Sequence, residues 1–132
     1  ALDLNLRAPF LMAQEAARQM TEGGLIVNVS AIGASKAWSR YPSYAVSKSA
    51  LESLTKVLAR AFAPSIRVNA IAPGLVLQSD VVTPEEWERL VGRLPLKRPA
   101  RPEEIASALE FLVRNEYVTG QTIVVDGGYS LV

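Results

Sequence analysis

Apolar residues at Leu2, Leu6, Phe10, Ala13, Ala17 and Met20 recur every three or four positions, which predicts one face of a helix over 2–20. Gly23-Gly24 ends that period. The next run, Leu25-Ile26-Val27-Asn28-Val29, is short and almost wholly apolar, the pattern of a strand covered on both faces. Ser30 to Ser43 contains Gly33, Pro42 and several serines and predicts a loop. Val46, Ala50, Leu51, Leu54, Val57, Leu58 and Ala61 restore the helical period over 44–62, and Pro64 closes it. A second strand is predicted over 66–71, stopped by Pro73-Gly74, with a loop over 75–83. Thr83-Pro84-Glu85-Glu86 starts a helix with a capping hydroxyl, a proline in the first turn and acids near the positive end of the dipole. Arg101-Pro102-Glu103-Glu104 repeats the proline-acid-acid signature before Ile105, Leu109, Phe111 and Leu112. Thr119-Gly120 makes a turn into a third strand, 121–125, closed by Asp126-Gly127-Gly128.

The order α-β-α-β-α-α-β predicts an α/β fold with a parallel, doubly wound sheet, because strands separated by helical crossovers run the same way. About three strands are few for such a sheet, whose two faces and two edges need cover. Residues 1–132 are therefore expected to form a single partial domain, with further strands lying before residue 1. The first residue is not Met and already falls in a helical period, which suggests a start in mid-domain.

Composition narrows the chemistry. The 132 residues contain neither histidine nor cysteine and carry a formal net charge of +1. These absences exclude Ser-His-Asp and Cys-His triads, thiol redox pairs, disulfides and a zinc site of the usual ligands, so no metal is expected. The near-neutral charge gives no reason to expect nucleic acid or an anionic membrane as partner. Neither a signal-peptide apolar region nor a run of ~20 apolar residues is present, and a cytoplasmic location is expected. Acid–base work must fall to Tyr, Lys, Asp, Glu or a bound cofactor.

Tyr44 and Lys48 stand four residues apart at the start of the second long helix, which places both side chains on one face, one turn apart. A neighbouring ammonium favours the phenolate and is expected to pull the tyrosine pKa down from near ~10. Such a tyrosine can hand a proton to a carbonyl oxygen or take one from an alcohol. Taken alone, a Tyr and a Lys at this spacing are also common on a solvated helix face.

The pair sits within an ordered set: Asn5-Leu6-Arg7-Ala8-Pro9-Phe10, Ile26-Val27-Asn28-Val29-Ser30, Tyr44 to Lys48, Arg67-Val68-Asn69-Ala70-Ile71-Ala72-Pro73-Gly74, Pro102-Glu103-Glu104-Ile105-Ala106, and Thr119-Gly120-Gln121 through Asp126-Gly127-Gly128. As a set these segments resemble the C-terminal, catalytic half of the short-chain dehydrogenase/reductase family, over essentially the whole chain. The resemblance implies a Rossmann-type fold and hydride transfer between a nicotinamide cofactor and a carbonyl or imine substrate of ketone, 3-oxoacyl or dihydropteridine type. It makes Tyr44 the general acid/base and Lys48 the residue that binds the nicotinamide ribose and tunes the tyrosine. Asn5 falls where the family holds a proton-relay water. Pro73, Gly74 and the backbone of Val76 fall where it holds the nicotinamide carboxamide. Gln78 replaces a frequent threonine and offers an amide to the diphosphate, and 75–95, with Trp87, corresponds to a substrate lid. NADP(H) or NAD(H) is the implied cofactor, with NADP favoured. The dinucleotide-binding half is expected to be missing, since the glycines make no G-x-G-x-x-G. The two long helices are expected to build a homodimer interface and the last strand a homotetramer.

Pro9 adds a physical expectation, because it has no N–H for the carbonyl four residues earlier, that of Asn5, which is then free to bind the relay water. One position departs from the family. Its substrate-binding serine lies thirteen residues before the tyrosine, and here that residue is Ala31. Ser30, one residue early, fills the role only if the backbone shifts, because adjacent strand residues face opposite ways. Within the family, Leu6-Arg7-Ala8-Pro9-Phe10, Arg40-Tyr41-Pro42-Ser43-Tyr44 and Tyr117-Val118-Thr119-Gly120-Gln121 are most similar to pteridine reductases, which often carry aspartate at the Ala31 position. Two other readings stay open: a catalytically weakened or non-enzymatic binding member of the same fold, which Ala31 invites, and a structural or assembly module, against which the apolar run 25–29 argues.

Overall fold

The computed structural model describes residues 1–36 and 39–132. A π-helical turn, Asp3–Arg7, runs into helix α1, Ala8–Gln19. Strand β1, Gly24–Val29, is followed by a single helical turn, α2, Gly33–Lys36, and then by the long helix α3, Pro42–Phe62. Strand β2 spans Ile66–Pro73, helix α4 Pro84–Arg93, helix α5 Pro102–Arg114 and strand β3 Thr122–Val125, with a closing 3-10 turn at Tyr129–Leu131.

The three strands form one parallel sheet in the order β1-β2-β3. Gly24 pairs with Ile66 and Val29 with Ile71, while Ala70 pairs with Thr122 and Pro73 with Val125. The centre strand is the most buried, with Val68, Asn69 and Ala70 each at 0% exposure, as both faces of a parallel strand must be covered. Alternation sorts its side chains. Ile66 and Val68 join Ala13 of α1 and Leu58 and Ala59 of α3 in one core, with Ile26 against it. Ile71 faces the other way, toward Ile105, Ala106 and Leu109 of α5, and so does Val29. No helix among the described residues is long and apolar enough to cross a membrane.

The predicted order of elements holds, and the departures have local causes. The first helix begins as a π turn in which the Ala8 N–H reaches the Asp3 carbonyl. Pro9 follows directly on that turn and offers no N–H to any carbonyl before it. The segment expected to be loop, 30–43, contains the α2 turn, and α3 begins at Pro42, whose fixed φ and missing N–H suit a first helical turn. Residues 37 and 38 of that loop reading lie outside the described residues. Thr83 caps α4 as expected, its hydroxyl accepting from the Glu86 N–H at 3.2 Å.

One polar staple joins the strands. Asn69 donates to the Val118 carbonyl at 2.9 Å and accepts from the Gln121 N–H at 3.0 Å. The Thr119 hydroxyl accepts from the Val68 N–H, and Gly120 donates to the Val68 carbonyl, so the turn before β3 is sewn to the centre strand. Gly74 is required just past β2, since a Cβ there would stand 2.8 Å from the Asp126 Cα. At the start of α5, Glu104 accepts a two-pronged pair from Arg98 at 2.9 and 2.7 Å and the Arg101 N–H at 2.8 Å. The Arg98 hydrogen bond, then the Arg101 N–H, pushes the Glu104 carboxyl down to about 2.

Two tests follow from these contacts. Asn69→Ala leaves the Gln121 N–H without its acceptor and is expected to lower unfolding stability by about 2 kcal/mol, read by denaturant titration. Glu104 has a folded pKa below its unfolded value, so its contribution is present above about pH 4.5 and fades as pH falls toward 2. In acid titrations Glu104→Gln is expected to flatten stability in that window and leave its pH dependence above 5 unchanged.

Candidate functional site

Parallel pairing puts all three carboxyl-terminal strand ends on one side, and the candidate residues gather there. The Ser30 N–H donates to the Ile71 carbonyl and the Ile32 N–H to the Pro73 carbonyl, which hold the segment after β1 against the end of β2. The Gly74 N–H donates in turn to the Val125 carbonyl, joining the end of β2 to β3.

Helix α3 brings its first turn to this end. Tyr44, Lys48 and Glu52 follow one another at i, i+4 and i+8 along one ridge. The Lys48 ammonium donates to the Val29 carbonyl at 2.9 Å and lies 5.8 Å from the centre of the Tyr44 ring. Burial pushes the Tyr44 phenol above its ordinary value, and burial also pushes Lys48 below its own. The expected lowering of Tyr44 is thus not found in this chain. Partial burial disfavours the phenolate, and the Lys48 ammonium is bonded to the strand-end carbonyl.

Asn5, in the π turn, donates from Nδ2 to the Ser47 hydroxyl at 3.0 Å, and Ser47 donates to the Tyr44 carbonyl at 2.8 Å. The structure therefore brings Asn5, Tyr44 and Lys48 together around one turn of α3. Asn5 and Lys48 also line one groove of about 530 Å³, with Leu4, Pro9 and Asn28.

Ser30 goes elsewhere. It is 3% exposed and its hydroxyl donates to Glu52 Oε1 at 2.7 Å, two turns along α3 from Tyr44. A hydroxyl has a single proton to give, and in this structure Ser30 gives it to Glu52. Pro73 is the last residue of β2, two beyond the predicted end, with Gly74 and Val76 following, and Pro73 and Val76 wall an apolar groove of about 510 Å³ with Val27, Val29 and Ile71. Gln78 donates to the Val82 carbonyl within its own loop at 3.0 Å. The lid segment folds partly as α4, with Trp87 half-buried.

Three residues escaped the sequence reading. Ser47 and Glu52 were legible in principle, because they lie three and eight residues after Tyr44 on the same helix. Lys36 was not: it donates to the carbonyls of Tyr129 (at 3.0 Å) and Val132 and lies 4.5 Å over the Tyr129 ring, contacts that span most of the chain. Among the described residues no cluster of acids could hold a metal ion.

Residues 1–130 match the family described as enoyl-(acyl carrier protein) reductase. Protein FixR of Bradyrhizobium diazoefficiens is 43% identical over 97% of this chain and 48% of its own length. A crystal structure of FolM alternative dihydrofolate reductase 1 from Brucella suis, in complex with NADP, superposes with a TM-score of 0.95 at 39% identity, over 99% of this chain and 54% of that one. A short-chain type dehydrogenase/reductase from Mycobacterium ulcerans gives a TM-score of 0.89 at 35% identity, over 98% and 50%. The chain spans about half the length of the curated relatives it matches. Its three-strand parallel sheet, the turn that gathers Asn5, Tyr44 and Lys48, and a likeness running from end to end lead to one assignment: the chain belongs to the short-chain dehydrogenase/reductase family.

Proposed function

We propose that this chain is the catalytic half of an NAD(P)H-dependent reductase acting on a carbonyl or imine, with Tyr44 as general acid/base and Lys48 as its helper. The observation that carries the reading is the placement of Tyr44 and Lys48 one turn apart on α3, at the carboxyl ends of the parallel strands, with Lys48 bonded to the Val29 carbonyl. In reduction the neutral phenol gives its proton to the substrate oxygen or nitrogen. In the reverse direction the phenolate takes it back. Lys48 holds the developing phenolate by charge, which favours proton release even though burial alone opposes it.

The residues present fit a nicotinamide riboside. An ammonium and a phenol suit ribose hydroxyls, and Val29, Pro73 and Val76 supply an apolar wall for a flat ring. When bound, the nicotinamide supplies the hydride. Tyr44 and Lys48 would hold the ribose, with Pro73, Gly74 and the Val76 backbone flanking the carboxamide. The adenosine half calls for residues outside these 132, in keeping with the chain's half-length match to its relatives. An open groove on either side of the β1 edge supports further strands there. NADP is favoured because FolM alternative dihydrofolate reductase 1 was solved with it, and that protein's name also supports a dihydropteridine-type substrate. Exposed Leu11, Met12, Val46 and Val57 on α1 and α3 support a homodimer through those helices, extended to a homotetramer by the last strand. A cytoplasmic protein with access to NAD(P)H fits this reading.

Ala31 and the bonded Ser30 favour a second reading, a member that binds cofactor without turning it over. Full-length protein given NADPH with a panel of ketones and dihydropteridines separates the two, since cofactor binding without its oxidation supports the second. On the reductase reading, Tyr44→Phe is expected to cost about 10²- to 10⁴-fold in kcat. Lys48→Met should lower kcat and move the alkaline limb of the reduction profile to higher pH, because the phenol then holds its proton longer. Ala31→Ser is expected to raise kcat by up to about 10²-fold by adding a donor to the substrate oxygen, while Ser30→Ala changes it less than about threefold.

A further inference from the structure

We infer that Ser47 is a positioning residue, which couples the orientation of the Asn5 carboxamide to the turn of α3 that carries Tyr44; the inference rests on the reductase reading. Ser47 lies between Tyr44 and Lys48 in sequence and is 0% exposed. Its hydroxyl joins two segments 42 residues apart, accepting from Asn5 Nδ2 at 3.0 Å and donating to the Tyr44 carbonyl at 2.8 Å.

The direction of these bonds matters more than their number. A serine hydroxyl has one proton and two lone pairs. With the proton directed at the Tyr44 carbonyl, only lone pairs are left for Asn5. The carboxamide must therefore present its NH₂ to Ser47 and turn Oδ1 away. A carboxamide is otherwise nearly symmetric in shape, so without Ser47 either end can face α3. Ser47 thus decides which end of Asn5 is left for other partners, and it does so from the backbone of the residue that carries the acid.

The local backbone gives this contact its importance. Asn5 sits in a π turn, whose wider winding packs less tightly than an α-helix, and its side chain borders the same groove as Lys48. The Ser47 bond pins that turn to α3. Loss of the bond is expected to leave cofactor affinity in place and to misplace the Asn5 carboxamide, the family's relay position, against the Tyr44 turn, and small misplacements of this kind are expensive in rate.

The test uses the full-length protein, with NADPH and either dihydrofolate or 2,3-butanedione as probes, and ¹⁵N-labelled asparagine to follow the Asn5 side-chain amide, which Asn5→Ala identifies by its disappearance. Ser47→Ala is expected to speed exchange of that amide at least about tenfold. It should lower kcat about 10- to 100-fold while KM for NADPH stays within about threefold. Ser47→Thr, which keeps a hydroxyl, should restore both readouts to within about threefold. In an Asn5→Ala background, Ser47→Ala should cost less than a further twofold, because its route of action is already gone. Full additivity in that background, or an Asn5 amide whose exchange ignores Ser47→Ala, overturns the inference. The same holds for a lowered Tm with kcat unchanged. A wild-type protein that turns over neither probe, with a Tyr44→Phe variant no slower, instead sinks the reductase reading and leaves the amide exchange to judge Ser47.

Discussion

Parallel pairing of β2 with both neighbours is the constraint on which the rest depends. Each parallel neighbour demands a crossover, and the crossovers here are α3 and the α4–α5 pair. Of these, α3 and α5 cover opposite faces of the sheet, so the centre strand loses nearly all contact with water. The same geometry sends all three strands toward one end. There the chain must leave the sheet, and its strand-end carbonyls and N–H groups need partners. Lys48 takes the Val29 carbonyl, Ile32 takes that of Pro73, and Gly74 takes that of Val125. A site at this end is a consequence of the winding.

Within that end, hydrogen bonds sort residues that look equivalent along the chain. Ser30 and Ser47 are both buried hydroxyls beside the α3 ridge. Ser30 is bonded to Glu52, two turns from the phenol, while Ser47 is bonded to the Tyr44 turn itself and to Asn5. Each hydroxyl has a single proton, and its direction decides which serine stands near the chemistry. Asn28 and Asn69 show the same economy in the sheet. Asn28 donates to Thr55 of α3, and Asn69 staples the turn before β3, so two buried polar side chains of the sheet find protein partners.

Much of this was legible beforehand. The helical period of α3, the proline-acid-acid starts of α4 and α5 and the apolar runs of β1 and β2 are local signals, written by burial and by the chemistry of helix ends. Tyr44 and Lys48 could be paired because both sit on one helix, where spacing alone sets direction. The π turn was not legible, since Pro9 announces a lost N–H without saying how the register adjusts. The short helix Gly33–Lys36 was hidden by a serine-rich composition that reads as loop.

The sequence by itself determined the alternation of elements, the parallel sheet, the absence of histidine and thiol chemistry, and the turn that bears Tyr44 and Lys48. Each of these depends on residues close together in the chain. Only the tertiary structure decided that Ser30 faces Glu52, that Asn5 donates to Ser47, that Lys36 reaches Tyr129, and that burial raises the Tyr44 pKa. Those outcomes depend on which distant groups compete for one proton or one lone pair, and on how much water remains. Neither is set by spacing along the chain.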